Sequence, residues 1–144
     1  MAADQFGTQS SNGEVVRRFY DGWNRGEIDF AELVDEEIVN HQPEAAPERG
    51  RSRFAEAIRG VMAAVPDSQW TISDLLVDGD RVAARITWTG TYGVGQFRGL
   101  AVGAPGGFSV EHIHIYRVVE RRLVEHWVVR DDLTMLRQLG AVPG

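Results

Sequence analysis

The chain has 144 residues, 43% of them hydrophobic and 25% charged, enough for a single domain with a core of its own. It has no cysteine, which excludes disulfides and thiol catalysis, and its net charge of −6 argues against nucleic acid as the main partner, because phosphate binding needs a basic surface. No apolar run reaches the ~18 residues of a membrane span, and the N-terminus, MAADQFGTQSSNG, lacks the basic start and apolar core of a secretory signal, so a cytoplasmic protein is expected.

Residues 1–12 read as a flexible arm, and residues 13–144 as one domain. A helix is expected from Ser11 to Gly26, opened by an S-x-x-E capping box of Ser11 and Glu14. Val15, Val16, Phe19, Tyr20 and Trp23 fall on one face of it. A short helix follows with Asp29 as cap and Phe30, Leu33 and Val34 as its buried side. Glu37 to Gln42 reads as a strand and Pro43 to Gly50 as a loop. Ser52 caps a third helix, whose Phe54, Ile58, Val61, Met62 and Val65 share a face.

After Pro66 the period changes to two. Gln69–Val77 and Arg81–Tyr92 form a hairpin over Asp78-Gly79-Asp80. Gly93–Leu100 is a further short strand, and residues 103–107 a turn. Phe108–Val118 and Leu123–Val129 are the last two strands, joined by Glu120-Arg121-Arg122, a turn without the usual glycine or asparagine. Leu133–Leu139 is a terminal helix, capped by Asp131 or Asp132 and stopped at Gly140. Helices followed by an antiparallel meander make an α+β arrangement, a curved sheet wrapped by helices, with a concave site.

Alternation places His112, His114 and Tyr116 on one face of their strand. In the final strand Glu125, Trp127, Val129 and Asp131 share a face, opposite His126, Val128 and Arg130. Pairing of the two strands brings Asp131 within reach of His112 or His114, a carboxylate and an imidazole suited to general acid/base work. Asp131 reads equally as the cap of the terminal helix. The H-x-H pattern with Glu125 and His126 also suits an iron or zinc ligand set, but those two residues point to opposite faces. His41 stands where it can line the open end of a pocket or sit on a surface loop. Tyr20, Trp23, Trp88 and Phe97 read first as packing aromatics, then as surfaces on which a flat ligand stacks.

The sequence as a whole resembles a known family. The three helices and meander, G-x-x-x-G-x-A-x-G-A-P-G-G over Gly95–Gly107, E-H-I-H-I-Y-R-V from Glu111 and the terminal D-D-L-T-M-L-R-Q-L-G are similar to the SnoaL-like polyketide cyclases, α+β cones of the nuclear-transport-factor-2-like superfamily. That resemblance implies an intramolecular aldol closure on an apolar polycyclic (anthracycline-type) polyketide, with no metal or organic cofactor. It implies Asp131, nine residues before Gly140, and His114 as catalytic residues. His112, His41, Tyr20, Trp23, Trp127, Tyr116, Trp88 and Phe97 would then contact substrate. A homodimer is implied as well. The departures are Val128-Val129-Arg130-Asp131 where the cyclases carry D-W-P-D, Trp127 in the wall, and His112 at a position usually glutamine. These features are closer to a cofactor-independent hydroxylase branch of the family. A binding cone without chemistry is the other alternative.

Overall fold

A computed structural model describes the backbone of residues 2–144 and the side chains of residues 11–144. Met1 and the side chains of residues 2–10, on which most of the expected arm falls, lie outside the described residues. The first helix, α1 (Ala2–Arg25), runs through Ser11, so the expected capping box sits inside a helix instead of starting one. No proline stands upstream to stop the helix, and a lone glycine there costs only about 1 kcal/mol. Asp29 caps α2 (Phe30–Leu33), its side chain accepting from the Glu32 amide. Val34, expected on that helix, instead opens β1 (Val34–His41). Within the expected loop, β2 (Glu48–Arg49) pairs back on β1. Gly50 at φ 116, not Ser52, is the cap position of α3 (Arg51–Ala64). Backbone geometry open mainly to glycine fixes that start in place of a side-chain hydrogen bond.

The hairpin of β3 (Gln69–Asp78) and β4 (Arg81–Tyr92) forms as expected. The single strand expected over 93–100 is a small separate hairpin, β5 (Gly95–Phe97) and β6 (Leu100–Val102). Arg98 and Gly99 turn it, both at positive φ (51 and 78). β7 (Gly106–Val119) and β8 (Arg122–Arg130) precede α4 (Asp132–Gln138). Glu120 and Arg121, also at positive φ (49 and 64), make the two-residue turn between β7 and β8. This is the geometry that right-twisted hairpins demand, here met by non-glycine residues at a cost. Replacing Glu120-Arg121 with Asn-Gly should therefore stabilise the fold by about 1 kcal/mol. A thermal midpoint that stays or falls in that variant would contradict the reading.

The six-stranded sheet has the order β2-β1-β8-β7-β4-β3, with β1 and β8 parallel and the other neighbours antiparallel. Register shifts in β3/β4, in β7/β8 and in β1/β8 bend it. On the concave side the expected face of α1 is buried: Val15, Val16, Phe19, Tyr20 and Trp23. It meets Val82, Ala84, Ile86 and Trp88 of β4, and Val110, Tyr116 and Val118 of β7. At Gly90 a Cβ would stand 2.3 Å from Val65 Cγ1, so the absence of a side chain lets the end of α3 approach β4. Among the described residues no helix is long and apolar enough to cross a membrane.

Candidate active site

Helices α1 and α3 and the concave sheet face enclose a cavity of ≈330 Å³. That lies at the small end of the usual ligand-pocket range. Its floor is made of buried residues, among them Tyr20, Trp23, Asn40, Trp70, Trp88, His112, His114, Tyr116, His126 and Val128. Its rim is partly or fully exposed and includes Gln42, Gly60, Tyr92, Phe97, Arg98 and Arg130. Among the described residues no carboxylate lines it.

A chain of hydrogen bonds crosses the floor. His112 Nδ1 lies 3.2 Å from His114 Nε2, His114 Nδ1 lies 2.8 Å from His126 Nε2, and His126 Nδ1 lies 2.7 Å from Asn40 Oδ1. The ladders explain the alignment: His114 pairs with Val128, Tyr116 with His126, and Asn40 with His126, and side chains opposite each other share a face. The carbonyl of Asn40 can only accept, so His126 donates from Nδ1. His126 Nε2 must then accept from His114, and His114 Nε2 from His112. In this assignment every ring is the Nδ1–H tautomer, and the lone pair on His112 Nε2 is the free end. That nitrogen has no hydrogen-bond partner among the described residues.

All three imidazoles are neutral near pH 7. Burial, then the nearby Arg130 cation, pushes His112 down to about 4, with Asp132 opposing. Burial, then Arg130, pushes His126 down to about 3. Burial and the two neighbouring rings hold His114 well below the ordinary range. The aromatic frame is tight. Trp70 stacks on Trp88 at 5.0 Å, and His112 sets its ring edgewise to both. Tyr20 and Tyr116 share a 2.6 Å hydrogen bond between hydroxyls, and burial raises both above the ordinary phenol range. The indole N–H groups of Trp23 and Trp70 are buried with no acceptor among the described residues.

The rim is a charge-balanced network. Arg130 donates to Gln42 (2.7 Å), Glu44 (2.6 Å) and Asp132 (3.4 Å). Arg98 donates to Asp132 (3.0 Å) and Glu44 (3.4 Å). Burial tends to raise the Glu44 carboxyl, but Arg130 and Arg98 outweigh it and hold the group below its ordinary range.

Of the residues expected here, His112, His114, Tyr20, Trp23, Tyr116, Trp88 and Phe97 do line the cavity. Asp131, His41 and Trp127 do not. Asp131 is the N-cap of α4: its carboxylate accepts from the Thr134 amide at 3.1 Å and from the Thr134 hydroxyl at 2.7 Å. Those two bonds hold its pKa below the ordinary carboxylate value. Trp127 lies on the outer side of the sheet, stacked on His41 at 5.0 Å and under the Arg81 guanidinium. His41 is bound to Glu125 at 2.6 Å. A bulge is the reason. Val118 pairs with Leu123 but Arg117 with Glu125, which leaves Val124 as an extra residue. One extra residue reverses the faces of the rest of β8. Arg130, not Asp131, therefore stands opposite His112.

Asn40, Gln42, Trp70, His126, Val128 and Arg130 complete the site without having been expected in it. The separation of Glu125 from His126 onto opposite faces is as expected. Among the described residues no group of three or more His, Cys, Asp or Glu side chains is arranged to hold a metal ion. The three histidines bond to one another in series.

A half-open α+β cone with buried aromatic walls and imidazoles on its floor is a small-molecule cavity. The chain belongs to the SnoaL-like polyketide cyclase family, whose model matches residues 13–139. Its fold is the nuclear-transport-factor-2-like cone that the sequence resemblance implied. The aklanonic acid methyl ester cyclase DnrD of Streptomyces peucetius is 31% identical over 139 residues, covering 91% of this chain and 92% of that protein. Among solved structures, TsrD from Streptomyces laurentii is 32% identical with a TM-score of 0.77, covering 93% of this chain and 98% of that one. AclR from Streptomyces galilaeus, a candidate hydroxylase, is 26% identical with a TM-score of 0.76, covering 94% and 85%.

Proposed function

We propose that the protein closes a ring in an aromatic, polycyclic polyketide by proton transfer at a carbon flanked by carbonyls, with His112 as general base. The observation that carries this is the histidine chain, which leaves one free imidazole lone pair in an aromatic-walled cavity with no carboxylate among its described lining. The flat stack of Trp70 and Trp88 suits a fused-ring ligand. The similarity to DnrD supports a polyketide ester as substrate.

In this reading His112 Nε2 takes the proton and becomes an imidazolium. Its Nδ1–H remains bonded to His114, and the chain of neutral rings spreads the charge. The guanidinium groups of Arg98 and Arg130 on the rim are the cations of the cavity lining that can face the enolate oxygen. The enolate carbon attacks an internal carbonyl, a carbon–carbon bond forms, and the new alkoxide recovers the proton from His112. No atom is gained or lost. Asp131 acts through α4, whose start it fixes beside Arg130 and Asp132.

Incubation with aklanonic acid methyl ester, the compound in DnrD's name, tests the reading. A ring-closed product of unchanged mass is expected. A product heavier by one oxygen would replace ring closure with hydroxylation, the outcome that the similarity to AclR favours. Binding without any product would overturn the enzymatic reading in favour of a binding cone.

A further inference from the structure

We infer that Asn40 is a positioning residue that sets the direction of the histidine chain and so keeps the base available at His112. This rests on the reading of His112 as the base. Three neutral imidazoles in series have two self-consistent arrangements. Either every ring carries its proton on Nδ1, or every ring carries it on Nε2. The first leaves the lone pair on His112 Nε2. The second puts a hydrogen there and leaves a buried lone pair on His126 Nδ1. The imidazoles themselves do not choose between these arrangements. Asn40 does, because its carbonyl oxygen stands 2.7 Å from His126 Nδ1 and accepts only. The second arrangement would need the Asn40 amide to turn over and donate from Nδ2, giving up the 2.7 Å contact of its carbonyl oxygen with His126.

Asn40 is placed for this by the parallel pairing of β1 with β8, which sets it opposite His126, and it is 5% exposed. The titratable and charged groups around the chain are Tyr20 from α1, Tyr116 beside it on β7, and Arg130 on β8. His41 on β1, Arg98 in the β5–β6 turn, and Asp131 and Asp132 at α4 act from further off. None of them hydrogen-bonds to a ring of the chain, so among the described residues Asn40 is the outside partner that orients the protons.

The test is nitrogen-15 NMR of histidine-labelled protein, with turnover measured alongside. In the native protein His112 Nε2 should give the shift of an unprotonated nitrogen. Asn40→Leu, which keeps the shape and removes the acceptor, should move His112 toward the Nε2–H form. It should also lower kcat about tenfold or more with KM little changed. Asn40→Asp keeps an acceptor at the same place and should keep the native tautomer. Its added negative charge should move the acid limb of the pH–rate profile upward from about 4, where it is expected in the native protein. A protonated His112 Nε2 in the native protein overturns the inference. So does an unchanged spectrum in Asn40→Leu. If Asn40→Leu fails to fold, the native spectrum and Asn40→Asp still decide. The tautomer is read without substrate, so a failure of the polyketide reading shows separately, as absent turnover with the expected spectra.

Discussion

His112→Phe should lower turnover by about 10²–10⁴, the range for a lost general base, and leave the fold intact. Phenylalanine fills the space beside the Trp70–Trp88 stack that the imidazole occupies edgewise, so the aromatic box survives while the lone pair is lost. Asp131→Asn is the informative comparison. Asparagine caps a helix about as well as aspartate, so that variant should keep both stability and rate. The family resemblance in the sequence implies the reverse, with the large loss at Asp131. Steady-state rates of the two variants, measured above pH 5, separate the assignments. A large loss in Asp131→Asn with near-native turnover in His112→Phe would move the base to the carboxylate.

The second large effect is on stability in mild acid. His112 and His126 are pushed to about 4 and about 3 in the folded protein, and His114 lies well below its ordinary value. In the unfolded chain each returns to about 6.5. Between those limits the unfolded state binds protons that the folded state refuses, so stability is complete above pH 6.5 and falls as the pH drops. At pH 5 His112 and His126 each account for about 2 kcal/mol of loss, and His114 acts in the same direction. A domain of ordinary stability has only about 5–15 kcal/mol to lose. Carboxylates held low, such as Glu44, lose their contribution mainly as the pH falls below 4.5, so measurements at pH 5 and above report chiefly the imidazoles. Urea unfolding at pH 5, 6 and 7 should show this loss, and His126→Gln should reduce the pH slope by one proton. A flat profile over that range would mean that the rings are not buried neutral.

Most of the architecture was legible because it rests on local periodicity. The α1 stripe from Val15 to Trp23, the β3–β4 hairpin and the stop at Gly140 are written in spacing and turn residues. Half of the site was legible too, because alternation along β7 needs no partner to read. The other half depended on β8, where the bulge at Val124 reversed the faces and put His126, Val128 and Arg130 inside. A bulge of one ordinary residue has no signature in a single sequence. Asn40 was hidden for a different reason. Its face follows from a parallel pairing with a strand 86 residues away, which no local pattern specifies. Asp131 shows how two readings of one residue compete. Its spacing from Gly140 fits a family role, but Thr134 three residues on supplies both hydrogen bonds of a cap.

The place of β8 in the sheet bears on how the molecule comes to exist. It is the last strand made, yet it sits between β1 and β7. Until it arrives, both neighbours present unpaired edges, a state that invites pairing with another chain. The domain is therefore most vulnerable until β8 has docked between its neighbours. The contact that completes the histidine chain, Asn40 with His126, joins its earliest and latest strands among those that form the site. A molecule in which β8 has not docked lacks the assembled site, so a chain that turns over substrate is one whose sheet is complete.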